Sequence, residues 1–401
     1  MKPKAVVVGG DLNGLGVIRS LARKAVPTII VDRDERNIAM RSRYGEKVVF
    51  GALDGDRLIA DLRHLRSRLA ENPVLILTQE KSVNTVLRHR DAVMENYRIS
   101  LPTPEITEPL MHKASFQELA QKHGFGIPRA VSLRAARDLD AAKDLIYPCV
   151  LKPSVKRREY ETRFAKAYKV ANFAELERHF REISQFLPDM IAQEWIEGGD
   201  DCIYFCLQYR TPERAVASFV GQKVRSWPPH VGGTASCMPA GTHAQVLEAL
   251  TDRFFVAVGF YGLCSMEFKH DRRRNQFLMI EPTVGRTDHQ EEIATLNGVN
   301  IPYAAYCSEA GIEVEPASRS PSPRAAVWSD TVFDRWSREL QPESTATFPA
   351  NSRIFDATWR LYDPLPGMVT KMGQLRDRLA SLAQRLKRGM PQPDGSQSST
   401  S

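Results

Sequence analysis

The stretch MEFKHDRRRNQFLMIEP, residues 266–282, predicts two apolar strands joined by a polar, arginine-rich turn. Glu267 and Glu281 are an even number of residues apart and nearly symmetric about Arg274, so the two-residue period of a strand puts both carboxylates on one face, roughly opposite each other. Like charges at that spacing repel unless a positive group lies between them. A hard cation such as Mg²⁺ prefers such oxygen ligands. The alternative is two solvated glutamates, balanced by Lys269 and the arginines.

The composition is that of an ordinary globular protein. The 401 residues are 42% hydrophobic and 26% charged, which suffices for two or three packed domains. The net charge of +7 is a mild surplus without a long basic block, so we expect no nucleic-acid partner. Six scattered cysteines form no CxxC pair and suggest reduced core residues. The N-terminal apolar run is too short for a signal peptide and no apolar run could span a membrane, so we expect a cytoplasmic enzyme.

The N-terminal segment has the pattern of a βαβ unit. The valine strand AVVVGG, residues 5–10, is followed by a glycine-rich turn, a helical stretch and the second strand PTIIVDRD, residues 27–34. This order predicts an open α/β layer of roughly a hundred residues. Asp32 would suit a ribose hydroxyl, and the helix N-terminus could receive an anion. The spacing of Gly10, Gly14 and Gly16, however, does not match the G-x-G-x-x-G dinucleotide fingerprint.

A second unit begins after the proline-rich stretch LPTPEITEPLMHK, residues 101–113. A helix is predicted from Lys113, ending at Gly124. The strand YPCVLKP, residues 147–153, then places Lys152 at its end. A lysine in that position is either a solvated strand end or a phosphate ligand that faces a cleft.

Four segments in order give the chain its family resemblance: YPCVLKP, then MIAQEWIEGGDDCIYF at 190–205, CSMEFK at 264–269 and FLMIEP at 277–282. This order resembles the ATP-grasp superfamily, in particular the carboxylate-amine ligases related to D-aspartate ligases and to the carbamoyl-phosphate synthase large chain. The resemblance covers roughly residues 4–306, including the SRY segment at 42–44.

The resemblance implies a fold class and a domain order. The class is α/β, with an α+β ligase part, in which a Rossmann-like pre-ATP-grasp domain precedes an ATP-grasp fold. We assign the domains as follows: residues 1–110, the pre-ATP-grasp domain; 111–190, the small subdomain; 191–315, the large subdomain with the metal site; 316–388, a C-terminal extension; and 389–401, a disordered tail. Within the extension, MGQLRDRLASLAQRLKRG at 372–389 predicts an amphipathic basic helix.

The resemblance also implies a nucleotide site. Lys152 would contact the ATP phosphates, and Lys113 would approach them from the start of the small subdomain. Gln193, Glu194, Trp195 and Ile196 correspond to the segment that reads the adenine edge, and either Asp200 or Asp201 would hold the ribose. Glu267 and Glu281 correspond to two glutamates that bind Mg²⁺, or Mn²⁺, at the phosphates.

Two segments depart from the family pattern: the one that follows Glu281 and the loop that follows Lys152. Thr283 stands where relatives have a metal-binding asparagine, so a second metal position would be weaker or filled by water. Arg286 lies two residues beyond the usual arginine, yet could still reach the transferred phosphate. The loop after Lys152 is basic rather than glycine-rich, and Lys166 or Lys169 would either return to the triphosphate or stay on a solvated surface.

The stretch FVGQKVRSWPPHVGGTASC, residues 219–237, predicts the acceptor side. Lys223 and Arg225 alternate with apolar residues on a strand, so we expect both to face the cleft, where they would bind a carboxylate or acyl phosphate. This segment is similar to a G-x-K-x-R-x-x-P stretch near the reaction centre of the ligases. An exposed strand with two basic residues is the alternative. The glycine pair at 232–233 would let backbone amides approach an anion.

The predicted reaction is ATP-dependent: a small-molecule carboxylate is phosphorylated, and an amine attacks the acyl phosphate to give an amide, ADP and phosphate. Lys223, Arg225 and Arg286 would be the catalytic cations. Two alternatives remain: an NAD(P)-dependent oxidoreductase that uses the N-terminal glycine turn, and a non-catalytic ATP-binding module. The chain has no predicted membrane span and is a possible homo-oligomer.

Overall fold

The computed structural model describes residues 2–154, 162–165, 167–313 and 324–373. The strands, in chain order, are β1 Ala5–Val8, β2 Thr28–Asp32, β3 Glu46–Val49, β4 Val74–Leu77, β5 Ala130–Leu133, β6 Cys149–Pro153, β7 Tyr168–Val170, β8 Met190–Glu194, β9 Ile203–Arg210, β10 Ala215–Trp227, β11 Gly233–Pro239, β12 Gly262–Asp271, β13 Gln276–Val284, β14 Ala326–Ser329 and β15 Arg353–Asp356. They form three sheets, and the result is a mixed α/β architecture with parallel and antiparallel pairing.

The helices are α1 Leu12–Ala22, α2 Gly55–Arg66, α3 Glu80–Arg88, α4 Arg90–Met94, α5 Pro104–Met111, α6 Lys113–Lys122, α7 Leu139–Ala142, α8 Phe173–Ile183, α9 Ala244–Ala257, α10 Glu292–Leu296, α11 Ile301–Ala310, α12 Thr331–Leu340 and α13, residues 364–373. Short 3-10 helices are Ile38–Arg41, Ala136–Asp138, Asp200–Cys202 and Gly241–His243. Among the helices so described, none is long and apolar enough to cross a membrane.

The N-terminal sheet is parallel, in the order β3-β2-β1-β4. β1 and β2 are buried along their whole length, as expected for strands covered by helices on both faces. Asp11 caps α1 by accepting a hydrogen bond from the Gly14 backbone N–H, at 3.2 Å. The βαβ opening predicted from the sequence is confirmed.

The small sheet is antiparallel, in the order β5-β8-β6-β7. β6 carries Lys152 and pairs with β8, which carries Gln193 and Glu194. Its apolar side packs on α8, which begins at the capping residue Asn172 and contributes Leu176 and Phe180 to the core. Two of the predicted nucleotide segments therefore lie on adjacent strands.

The large sheet has seven strands, in the order β13-β12-β9-β10-β11-β14-β15. One face packs on α6 and α9, whose aromatic side chains include Phe116, Phe254 and Phe255. The other face contributes residues such as Leu207 and Tyr209 to a core that also contains α1, α10 and α11. The N-terminal layer and the large sheet thus share a hydrophobic core.

The C-terminal extension adds two strands and a helix to the large sheet. β14 pairs with β11, and β15 pairs with β14 in parallel. α12 lies against β10 and β11, where Asp334 meets Arg225. Of the predicted amphipathic helix at 372–389, only its first two residues fall among the described ones, in α13; the rest, like the predicted tail, lies outside them. All six cysteines are buried and free, as predicted.

Candidate active site

The hairpin predicted at residues 266–282 is confirmed. β12 and β13 pair antiparallel, with Glu267 directly opposite Glu281. A β-bulge follows Glu267, where the register shifts by one residue. The two carboxylates therefore start from neighbouring backbone positions, as their symmetric spacing implies.

A buried lysine lies against this carboxylate pair. Lys223 on β10 places its Nζ 2.6 Å from Glu267 Oε2, and it is almost completely buried. Burial alone would lower the pKa of Lys223, but the nearby carboxylates of Glu267, Glu281 and Asp288 raise it above its usual value. Lys223 therefore places a positive charge beside the two glutamates and offsets part of their repulsion.

A cleft between the small and large sheets brings most of the predicted residues together. It encloses about 1110 Å³ of empty space, part of it open to solvent. The residues that line it include Lys113, Lys152, Gln193, Glu194, Trp195, Ile196, Lys223, His230, Gly232, Glu267, Lys269 and Glu281. Residues from five separate sequence segments thus converge on a single cavity, which is typical of a ligand site.

The small-sheet wall of the cleft is organised by charged hydrogen bonds. Lys152 donates from Nζ to Gln193 Oε1 at 2.7 Å across the β6–β8 pair. Glu194 is buried and accepts from Arg274 of the hairpin turn at 2.6 Å. This last bond ties the small sheet to the β12–β13 hairpin, so the two walls of the cleft are linked by a charge-assisted hydrogen bond.

Trp195 stands between two lysines at the rim of the cleft. Lys169 Nζ lies 4.6 Å from the ring centroid, and Lys269 Nζ lies 5.3 Å from it. Both are cation–π distances. Burial lowers the pKa of Lys269, which also donates to the Gly198 carbonyl at 3.0 Å. Lys169 is thus close to the segment predicted to read the adenine edge; Lys166 lies outside the described residues.

A second, smaller cavity adjoins the cleft on the side of the N-terminal sheet. It shares Lys113 and Glu281 with the cleft and is also lined by Arg286, Thr283, Glu80 and Ser154. Arg286 is mostly buried, with its Nη1 3.0 Å from the Thr287 carbonyl. The predicted Arg286 and Thr283 therefore lie beside the glutamate pair but face a separate pocket.

The two candidate ribose ligands do not line the cleft. Asp200 is buried, and its carboxylate accepts hydrogen bonds from the backbone N–H groups of Ser226 and His230, at 2.8 and 3.0 Å. Asp201 pairs with Arg272 at 2.7 Å on the outer side. Asp200 therefore holds the loop that carries His230, a non-glycine residue at φ +66°.

Arg225 points away from Lys223, so the prediction that both face the cleft was wrong. Lys223 is opposite Cys237, but Arg225 is opposite the adjacent residue Ser236, because a bulge at Val224 inserts one extra residue. Neighbouring residues of a strand face opposite sides. Arg225 instead donates to Asp334 at 3.0 Å and to the Ala346 carbonyl at 2.7 Å.

The donor set at the glutamate pair suits Mg²⁺. Two facing carboxylates are the number that Mg²⁺ commonly takes from a protein, with water and phosphate oxygens in its other positions. Thr283 adds a hydroxyl, which lies 3.5 Å from Asp288 Oδ1. Within the described part of the chain, no group of three or more His, Cys, Asp or Glu side chains could hold a metal ion by itself.

The residues of the N-terminal glycine turn make hydrogen bonds and packing contacts with their own neighbours in the fold. Asp32 Oδ2 accepts hydrogen bonds from the Gly10 N–H at 2.6 Å and from Asn37 at 3.1 Å. A Cβ at Gly14 would lie 1.9 Å from the Gly9 carbonyl oxygen, so this glycine is required for strand–helix packing. The features that suggested a dinucleotide are thus used by the local structure.

The predicted resemblance is confirmed at the level of the fold, by solved structures that share low sequence identity with this chain. One similar solved structure is the biotin carboxylase domain of the Hydrogenobacter thermophilus 2-oxoglutarate carboxylase, in complex with MgADP, ADP and bicarbonate. The match covers 82% of this chain and 74% of that chain, at 16% sequence identity and a TM-score of 0.63. The Staphylococcus aureus N5-carboxyaminoimidazole synthetase in complex with ADP covers 88% of this chain and 92% of its own, at 14% sequence identity and a TM-score of 0.63. The match to a Thermotoga maritima N5-carboxyaminoimidazole ribonucleotide synthetase covers 82% of this chain and 80% of that chain, at 15% sequence identity and a TM-score of 0.59. No protein-family model and no curated sequence matches the chain.

Several residues of the site were not assigned from the sequence. Lys269 lies two positions after Glu267 on the same strand, so the strand period could have placed it in the cleft. Asp288 accepts from Ser265 at 2.8 Å beside the glutamate pair. Ser154 and Glu80 come from distant segments that only the fold brings to the second cavity. No local sequence pattern predicts that they belong to the site.

Proposed function

We propose that the protein is an ATP-dependent ligase that activates a carboxylate as an acyl phosphate and couples it to an amine, releasing ADP and phosphate. The observation that carries this proposal is the convergence of Lys113, Lys152 and Lys223 with Glu267 and Glu281 on one cleft. Phosphoryl transfer depends mainly on positioning and on neutralising the phosphate oxygens, which is what lysines and a carboxylate-bound metal provide.

ATP would lie along the cleft between the two sheets. Lys152 and Lys113 would contact its phosphates, and residues 193–196 would meet the adenine edge beside Trp195. ADP bound in the solved structures of the biotin carboxylase domain and of the Staphylococcus aureus synthetase supports this assignment. In this proposal the N-terminal parallel layer would be the Rossmann-like pre-ATP-grasp domain, followed by the small and large subdomains of the ATP-grasp fold.

Glu267 and Glu281 would hold Mg²⁺, or Mn²⁺, with Thr283 beside them. The metal would supply charge stabilisation at the phosphate oxygens. Lys223, 2.6 Å from Glu267, would hold this carboxylate in place. The MgADP in the biotin carboxylase complex supports magnesium for this site.

The carboxylate substrate would bind in the second cavity, next to Arg286, where it is close to the shared residues Lys113 and Glu281. Its oxygen would attack the γ-phosphorus, forming an acyl phosphate while the bond to the ADP oxygen breaks. The amine nitrogen would then attack the acyl carbon, and phosphate would leave as the nitrogen loses a proton. Arg286 would neutralise the anions in both steps. Arg225, held by Asp334, would support the strand rather than touch substrate.

The proposal is tested by ADP release with panels of carboxylates, bicarbonate included, and of amines. ATP at about a hundred times its dissociation constant should also stabilise the chain by roughly 2.7 kcal/mol in the presence of Mg²⁺. Lys152→Ala should abolish this stabilisation. The matched control is Lys143→Ala, which removes an exposed lysine paired with Asp140.

The outcomes separate the competing functions. Stabilisation by ATP without ADP release from any pair of substrates would favour a non-catalytic ATP-binding module. Stabilisation by NAD(P)H alone would favour the oxidoreductase. Stabilisation by ATP that requires Mg²⁺ and Lys152, together with ADP release that requires both a carboxylate and an amine, is the expected result.

A further inference from the structure

Apolar side chains form one wall of the second cavity, which adjoins the cleft. The residues of this wall come from α5, α6 and β13: Leu110, Met111, Phe116, Pro282 and Val284. Leu110, Phe116 and Val284 also belong to the hydrophobic core between the large sheet and its helices, so packing holds the wall in place. The cavity contains about 600 Å³ of empty space, part of it open to solvent. A substrate made only of charged groups would leave this apolar wall without a partner.

Arg286 supplies a fixed positive charge to the same cavity. Its Nη1 donates to the Thr287 carbonyl at 3.0 Å, and that carbonyl also accepts from Asn13 Nδ2 at 2.9 Å. The Thr287 hydroxyl in turn donates to Asn13 Oδ1 at 2.7 Å. Within the described ranges this is the one hydrogen bond of the Arg286 guanidinium, so its other N–H groups are available to a ligand. A guanidinium binds a carboxylate through two parallel hydrogen bonds.

A buried hydroxyl also belongs to the cavity. Ser154 lines it and is only 4% exposed, and its Oγ has no hydrogen-bond partner among the residues that the structure describes. Buried polar atoms are nearly always hydrogen-bonded, and an oxygen of a bound ligand would supply the missing partner. Because Lys113 and Glu281 line both this cavity and the cleft, a carboxylate held here would lie next to the phosphates of ATP.

A carboxylate of the protein limits the charge that a substrate can bring into the cavity. Glu80, in the first turn of α3, lines the cavity together with Arg286. A second carboxylate on the substrate would be repelled by Glu80, whereas an ammonium group would be attracted to it. The cavity therefore favours substrates with a single carboxylate over dicarboxylates such as succinate.

We propose that the carboxylate substrate is an acid with one carboxylate and an apolar substituent. The second cavity binds the carboxylate at Arg286 and the substituent against the apolar wall. This class includes aliphatic acids and amino acids with apolar side chains, and it excludes bicarbonate and dicarboxylates. The inference rests on the proposed function, because it names the substrate of the same site. Burial of the substituent contributes binding free energy that a substrate without an apolar group lacks.

ADP release with Mg²⁺, ATP and hydroxylamine tests the class, because hydroxylamine traps an acyl phosphate as a hydroxamate. The probes are isocaproate, leucine, succinate and bicarbonate, and a reaction without added acid gives the background. The kcat/KM for isocaproate or for leucine should exceed those for succinate and bicarbonate by at least about tenfold, since a single methylene in an apolar pocket is worth about 10- to 200-fold. Leucine adds an ammonium group to the isocaproate skeleton, so the faster of the two distinguishes an amino acid from a simple acid.

Met111 tests the apolar wall, because it is half-buried at the end of α5. Met111→Ala should enlarge the cavity and shift the preference from isocaproate and leucine toward the bulkier phenylpropionate and phenylalanine, with the KM for ATP unchanged. A purely structural role would not change the order of substrates. Met94→Ala, on α4, is the matched control and should keep that order. Met111→Gln is the second variant, and it should lower the kcat/KM for the preferred acid by about tenfold in a folded chain.

Glu80 tests the limit on charge. Glu80→Gln should raise the kcat/KM for succinate relative to that for isocaproate by about fivefold or more, because the repulsion of the second carboxylate is removed. The matched control is Glu105→Gln, which removes an exposed acid from the first turn of α5 and should leave this ratio unchanged.

Melting curves with Mg²⁺ and the non-hydrolysable analogue AMP-PNP separate this inference from the proposed function. Further stabilisation by isocaproate or leucine, without ADP release from ATP, would support the substrate class and overturn the ligase reaction. ADP release that is fastest with bicarbonate or succinate would overturn the class and keep the ligase. The class is also overturned if isocaproate and leucine produce neither stabilisation nor ADP release, or if both Met111 variants fold and leave the order and rates of the substrates unchanged.

Discussion

Two groups of ion pairs on this molecule have the same chemistry and different surroundings. Where the C-terminal extension meets α1 and α10, Arg19 pairs with Asp363 at 2.9 Å and Arg360 pairs with Glu292 at 2.8 Å, all almost completely buried. In the cleft, Lys223 pairs with Glu267 at 2.6 Å, but Glu267 keeps 26% of its side chain exposed. The first group faces protein on every side, and the second faces a cavity.

Between the Arg19–Asp363 and Lys223–Glu267 pairs, the difference lies in how fully the carboxylate oxygens are used; in the Arg360–Glu292 pair, Glu292 Oε1 is buried without a hydrogen-bond partner among the described residues. Asp363 accepts hydrogen bonds from Arg19, from the Ser42 hydroxyl and from the Arg43 backbone N–H. Glu267 has Lys223 on one oxygen and the cleft in front of it. A buried ion pair is tolerated when hydrogen bonds satisfy its atoms, whereas a carboxylate left open to a cavity can still bind a cation or a ligand. The carboxylate of Asp363 is fully hydrogen-bonded and its ion pair is structural, whereas the carboxylate of Glu267 is accessible from the cleft and is available for function.

The largest expected effect comes from breaking a saturated pair. Arg19→Met should lower the free energy of unfolding by about 3–5 kcal/mol, because Asp363 is left as a buried charge without its partner. Urea unfolding measures this change. Arg57→Met is the control, since the Arg57–Asp61 pair is largely exposed on the arginine side and should contribute no more than about 1 kcal/mol. Equal effects of the two substitutions would remove the distinction between the groups.

In the cleft, the effect should appear in activity rather than in stability. Glu281→Gln keeps the shape of the side chain but removes one of the two facing charges. We expect ADP release to fall by about 100- to 1000-fold, the usual loss when a group that stabilises the transition state is removed. The melting temperature should stay the same or rise slightly, because Glu267 loses a like-charged neighbour. A large loss of stability with full activity per folded molecule would instead make Glu281 structural.

Glu291 is a buried acid that belongs to neither group. Burial raises its pKa to about 8, and its Oε2 accepts a hydrogen bond from the Asp288 N–H at 3.0 Å. The folded state therefore keeps a proton that the unfolded state releases above the ordinary pKa of 4.5. Stability is fully present below that value and is lost as the pH rises through 8.

Glu291→Gln tests this assignment. From pH 6.5 to 8 the unmodified chain should lose about 2 kcal/mol more stability than the variant, since one pKa unit corresponds to about 1.36 kcal/mol. Urea unfolding at the two pH values measures the difference. His289 is exposed and is present in both chains, so its titration cancels from this difference. Parallel pH curves for the two chains would show that Glu291 is ionised in both folded and unfolded states.

The sequence predicted those parts of the site that follow from local periodicity. The Glu267–Glu281 hairpin, the βαβ opening and the helix from Lys113 depend on alternation and turn residues that lie within a short stretch. The order of four such stretches was enough to predict the ATP-grasp fold. Each of these features is encoded by neighbours along the chain, so the sequence alone contains the necessary pattern.

Other features depend on contacts between distant segments or on single-residue irregularities. The orientation of Arg225 is set by a bulge at Val224, and no residue type in that strand marks the inserted position. Either Asp200 or Asp201 was predicted to hold a ribose, but Asp200 accepts hydrogen bonds from the backbone N–H groups of Ser226 and His230, which lie far along the chain from it. The pairing of Arg19 with Asp363 joins the two ends of the described chain, which no periodicity could indicate.

The smallest expected effect distinguishes an exposed ion pair from a nucleotide contact. Asp201 pairs with Arg272 at 2.7 Å, and both side chains are partly or largely exposed. Because such pairs contribute at most about 1 kcal/mol, Asp201→Asn should leave the melting temperature nearly unchanged. Since Asp201 does not line the cleft, the KM for ATP should also change by less than about twofold, which is within about 0.4 kcal/mol. Lys152→Ala, measured alongside, should raise that KM strongly. A comparable rise for Asp201→Asn would mean that this carboxylate turns into the cleft when nucleotide binds and holds the ribose, as the sequence alone had suggested.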